Sequence, residues 1–142
     1  MFSVIGAAHS RAKEIKEALD DQSPPIKMYG VYHASLIDSL VDLMTKLPVS
    51  ELGSDQAINA FIIFSGQFAF LRKALEEYMA GPYADPEVME ELEKLKVQGY
   101  GNREHDQVVD SKRAVLKTNV EVHLARIDIE FTHLSAALQK NA

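Results

Sequence analysis

From Arg103 to Lys140 the chain runs thirty-eight residues without a glycine or a proline, and this stretch constrains the fold more than any other. Nothing in it interrupts a helix, so one long α-helix is predicted. At 1.5 Å per residue it would reach about 57 Å. That is longer than a compact domain of this size, so the helix must project, kink or pair with a second copy. A competing pattern exists: Val120, Val122 and Leu124, then Ile127, Ile129 and Phe131, alternate as a strand does. Over a longer window Val120, Leu124, Ile127, Phe131, Leu134 and Leu138 follow helical spacing, and helix is the expectation.

Placed at about 100° per residue, the helix divides into four faces. One apolar stripe holds Val109, Leu116, Val120, Ile127, Phe131, Leu134 and Leu138; a second holds Val108, Val115, Val122, Ile129 and Ala136. Asp110, Lys117, Glu121, Asp128 and Ser135 form the polar side. Between the two stripes runs a seam of Lys112, Asn119, His123, Arg126, Glu130 and His133. Two apolar stripes imply two partners, which would leave the seam partly buried, where charges persist only if paired. Arg126 and Glu130 are four residues apart and Glu130 and His133 three, so both pairs can meet on one helix face.

This seam supports two kinds of function. As a catalytic site, His133 would serve as acid or base, Arg126 would hold an anion and Glu130 would orient either. As structure, the same residues form an ion-pair strip at a helix junction or dimer contact. The Arg126-x6-His133 spacing resembles that of HEPN-type helical ribonucleases, although Ile127 stands where those enzymes commonly carry a polar residue. Glu130-x-x-His133 has the spacing of carboxylate-bridged di-metal bundles. The chain has no second Glu-x-x-His, so a homodimer would have to supply it.

The rest of the chain reads as shorter helices separated by breakers. Ile5, Ala8, Ala12, Ile15 and Leu19 give a helical stripe from about Phe2 to Asp20, ended by Ser23-Pro24-Pro25. A second helix is expected from about Ile26 to Leu47, weakened at Gly30. A third, about 55 to 80, begins at a Ser54 or Asp55 cap and is apolar nearly all round from Ala57 to Leu71, which suits a bundle centre or a subunit interface. Gly81-Pro82 stops it. Asp85-Pro86-Glu87 caps a short fourth helix to about residue 97, whose narrow stripe of Val88, Leu92 and Leu95 predicts a flap on the bundle. The whole reads as one domain spanning residues 1–142: all-α, a four- to five-helix bundle with a long C-terminal helix.

Composition removes several function classes. With no cysteine there is no disulfide scaffold, Cys-ligated metal or thiol nucleophile. The net charge of −6 divides evenly, −3 on residues 1–71 and −3 on 72–142, so no basic domain is hidden and nonspecific nucleic-acid binding is not expected. The longest uncharged run, Gln56–Leu71, is sixteen residues and holds Asn59, Ser65, Gly66 and Gln67; a bilayer span needs about 20 apolar residues. The N-terminus has no cationic lead, and a cytoplasmic protein is the expectation. Tyr29, Tyr32 and His33, with Tyr100, are candidates for a small-molecule pocket, against the alternative of tyrosines that bury a ring and wet a hydroxyl. His9 and His105 show no partner cluster, and Glu104, His105 and Asp106 point to different helix faces. No cofactor or metal ligand set is named by these residues. The expected function is a helical protein-interaction or regulatory module, homodimeric through its last helix or bound to another protein. The alternative is a helical-bundle enzyme acting on a small molecule, metal or nucleotide through Arg126, Glu130 and His133.

Overall fold

The computed structural model describes residues 2–20 and 34–139, which form five α-helices and no strand. They are α1 (Phe2–Asp20), α2 (Ala34–Thr45), α3 (Asp55–Ala80), α4 (Pro86–Val97) and α5 (Asn102–Gln139). The protein is all-α, and the alternating pattern at 120–131 is helix, as the longer window required. Two short 3₁₀ turns, Val49–Leu52 and Pro82–Ala84, join α2 to α3 and α3 to α4. The expected start of the second helix, residues 26–33, lies outside the described residues.

Local chemistry sets the boundaries. Ser54 Oγ accepts the Ala57 amide at 3.1 Å and opens α3. Gly81, at φ 81°, ends it with its own amide donating to the Glu77 carbonyl. That left-handed φ is one a side chain rarely adopts, so the glycine is what lets the chain turn there. Asp85 Oδ1 accepts the Glu87 amide at 2.8 Å with Pro86 in the first turn of α4, the cap that the Asp-Pro-Glu run predicts.

The centre of the molecule is the antiparallel contact of α3 with α5. Phe64 lies against Phe131 and Phe70 against His123, with ring centroids 6.0 and 5.8 Å apart, so residue numbers rise along one helix as they fall along the other. Phe64, Phe68 and Leu71 of α3 and Val120, Ile127 and Leu134 of α5 are buried in this core. α1 lies along the other flank of α5 and contributes Ile5, Ala8, Ala12, Ile15 and Leu19, every residue of its predicted stripe. α2 packs on α3 and α1 through Ile37 and Met44, while α4 rests on α5 through Val88.

Two apolar surfaces stay open among the described residues. α3 is central, yet it is not enclosed all round: Ile62, Ile63 and Phe70 are exposed, because α2 and α5 cover only part of its circumference. The second stripe of α5 is bordered by α4 at Val108 and Val115 and by α1 at Val122 and Ile129, yet Val115, Val122 and Ile129 remain about half exposed.

Burial therefore separates two phenylalanines of similar sequence context. Phe64→Ala is expected to cost about 3–5 kcal/mol, the range for emptying a buried aromatic site. Phe70→Ala, removing a ring that is 58% exposed, is expected to cost about 1 kcal/mol or less. Urea denaturation of the two variants checks the difference.

Candidate functional site

The seam on α5 is partly assembled. Glu130 is buried, its carboxylate lying 3.7 Å from Arg126 Nε and 3.3 Å from His133 Nδ1. A carboxylate only accepts, so His133 carries its proton on Nδ1 when it donates to Glu130. The Arg126 and His133 side chains remain 59% and 63% exposed. The three expected residues thus meet, but all come from one helix, and neither of the two grooves described below includes them. A catalytic set ordinarily converges on a concave site from several elements.

The remaining seam residues serve other contacts. His123 stacks on the exposed ring of Phe70, with planes 13° apart. Lys112 Nζ reaches Asp85 Oδ2 at 2.7 Å, tying the cap of α4 to α5. Donation from Lys112, helped by the Glu87 amide, holds the Asp85 carboxyl below its ordinary value, and the same bond raises the Lys112 ammonium above its own. Asn119 is exposed. Tyr29, Tyr32 and His33 lie outside the described residues. Tyr100 is exposed on the wall of a groove between α4 and α5.

Both histidines read as partnerless have partners. His9 is buried: its ring stacks on Phe131 at 3.7 Å, and Nε2–H donates to Asp128 Oδ1 at 2.8 Å. Asp128 belongs to the polar side of α5, and α1 comes up beside that side. His9 adjoins Ala8 and Ala12 of the α1 stripe, which is the one signal in sequence that could have placed it at the contact. His105 Nδ1 lies 3.1 Å from Asp106 Oδ1, so these neighbours do meet, and Tyr83 Oη lies 3.4 Å from His105 Nε2. Among the described residues no three His, Cys, Asp or Glu side chains gather as a metal site, and no helix is long and apolar enough to cross a membrane.

No protein-family model, curated protein or solved structure matches this chain.

The feature of α5 left without a structural role is its outer stripe. Val115, Val122 and Ile129 are 51%, 57% and 47% exposed. They stand at strict seven-residue intervals, with Thr118, Ala125 and Thr132, all exposed, three residues after each. Val115 lines a groove of about 620 Å³ between α4 and α5, while Val122 and Ile129 line one of about 800 Å³ between α1 and α5. The second groove has Ala12 and Leu124 among its apolar lining and Lys13, Lys16 and Glu121 among its charged residues.

The Lys112–Asp85 contact sets a pH test. Asp85→Asn keeps a capping side chain but removes the charge, so it reports the ion pair apart from the cap. Because the folded-state Asp85 value is depressed, the stabilisation is fully present above its ordinary value of 3.8 and is lost as pH falls through the folded value. Lys112 gives the converse, full below 10.5 and lost as pH rises through its raised value. Asp85→Asn is expected to melt below wild type at neutral pH, with the gap closing at both ends of a thermal-melt series.

Proposed function

We propose that this protein is a helical interaction module that works as a homodimer, with the outer stripe of α5 as its contact. The observation that carries this is the stripe itself. Large apolar side chains recur every seventh residue along a helix whose opposite side already fills the core, and each is about half exposed. A seven-residue apolar repeat keeps one seam facing a neighbouring helix when two helices supercoil. Contiguous apolar surface of this kind marks a contact with another macromolecule.

Light scattering coupled to gel filtration tests it. Wild type is expected at twice the chain mass of 15.8 kDa at micromolar concentration. Ile129→Glu, which places a charge in the seam while leaving the bundle core untouched, is expected to run as a folded monomer. A monomeric wild type across the micromolar range overturns the proposal; a dimeric Ile129→Glu moves the contact elsewhere.

A second reading assigns Arg126 and His133 to an anionic ligand, oriented by Glu130. It is favoured by the exposure of the Arg126 guanidinium and the His133 imidazole around a buried carboxylate. On this reading Arg126→Ala abolishes binding of a phosphate or carboxylate probe while the melting temperature stays within a few degrees; loss of stability alone speaks for a structural strip.

A further inference from the structure

Resting on the homodimer reading, we infer that the second copy of α5 lies parallel to the first and in register, with Glu121 paired to the partner's Arg126. In heptad notation Val115, Val122 and Ile129 occupy position a, and Thr118, Ala125 and Thr132 position d. Small residues at d let the two backbones approach closely.

The flanks of the stripe decide the orientation. Position e carries Arg126 and His133; position g carries Glu121 and Asp128; all four are exposed. One flank is therefore cationic or titratable and the other acidic. In a parallel pair, a g residue faces the e residue of the next heptad on the other chain. Glu121 then meets the partner's Arg126, and Asp128 meets the partner's His133, twice each by symmetry. In an antiparallel pair g faces g, which sets Glu121 against the partner's Asp128, and e faces e. Flanking charges select orientation in this way because like charges facing each other are destabilising.

The intramolecular contacts leave these groups able to pair. Arg126 Nε lies a loose 3.7 Å from Glu130. Asp128 gives one oxygen to His9 while its side chain is 68% exposed. α3 packs on α5 away from the stripe, against Phe131 and His123, while α1 borders the Glu121 and Asp128 flank with Lys13 and Lys16 in the same groove. Lys112, the other cation of the e flank, is already held by Asp85, so the interface centres on residues 115–132.

The absence of native cysteine makes the test clean. Thr118→Cys and Thr132→Cys are prepared separately and oxidised in dilute solution, each alone and Thr132→Cys also mixed with Val115→Cys. Parallel, in-register helices place each residue beside its own copy, within the 4.4–6.8 Å between Cα atoms that a disulfide allows. Each variant is then expected to form its own covalent dimer, and adding Ile129→Glu to either is expected to abolish it. If neither threonine variant cross-links alone, the orientation is overturned while the dimer stands, and a disulfide formed only in the mixture with Val115→Cys, where position d faces position a, marks the antiparallel pair. If wild type is monomeric by mass, both fall. A charge swap supplies a second readout: Glu121→Arg or Arg126→Glu is expected to weaken dimerisation about tenfold or more. The double exchange is expected to restore it, and failure of that rescue overturns the pairing.

Discussion

Burial of α3 against α5 is the contact on which everything else in this protein rests. Phe64, Phe68 and Leu71 meet Val120, Ile127 and Leu134 with almost no exposed surface, and each such side chain contributes about 1.5–3 kcal/mol on leaving water. An exposed ion pair contributes about 0–1 kcal/mol, so the apolar layer sets the fold and the charges adjust to it. Because this layer fixes how α5 is rotated about its axis, it also fixes what the helix shows to solvent. The buried side determines that Val115, Val122 and Ile129 face outward and that Glu130 is buried.

The polar contacts between helices fasten elements to α5 and α3 at defined places. His9 joins α1 to α5 through Asp128 and the face of Phe131, Lys112 joins α5 to the cap of α4, and Arg72 Nε of α3 lies 2.6 Å from Asp38 of α2. Each is a single point beside a continuous apolar contact, which gives register and orientation more than cohesion. The Arg126–Glu130–His133 group differs, because it links residues of one helix and joins no second element. That leaves its two exposed members available to something outside the chain, which in the proposed dimer is the acidic flank of the other copy.

Much of the architecture was legible because it depends on near neighbours. The Asp85-Pro86 cap, the Gly81 stop, the α1 stripe and the unbroken run of α5 act within a turn or two of the helix they shape, and the elements appear where those signals put them. The relation between Arg126, Glu130 and His133 was legible for the same reason, being set by helical spacing alone. What escaped were contacts between elements far apart in sequence. Nothing near His9 indicates Asp128, and nothing in the Asp85 cap indicates that Lys112 will reach its second oxygen. The exposure of Ile62, Ile63 and Phe70 was hidden likewise, since an apolar helix looks the same whether three neighbours surround it or leave a gap.

The central claim is that α5 serves two partners at once, its own core on one side and another copy of the chain on the other. The dependence of thermal stability on protein concentration tests it most directly, because a native state that must dissociate to unfold is stabilised by mass action. A melting temperature that climbs steadily as the protein is concentrated over two orders of magnitude is the predicted result. A melting temperature that does not move over that range would contradict it, leaving α5 with a single partner and its outer stripe facing water.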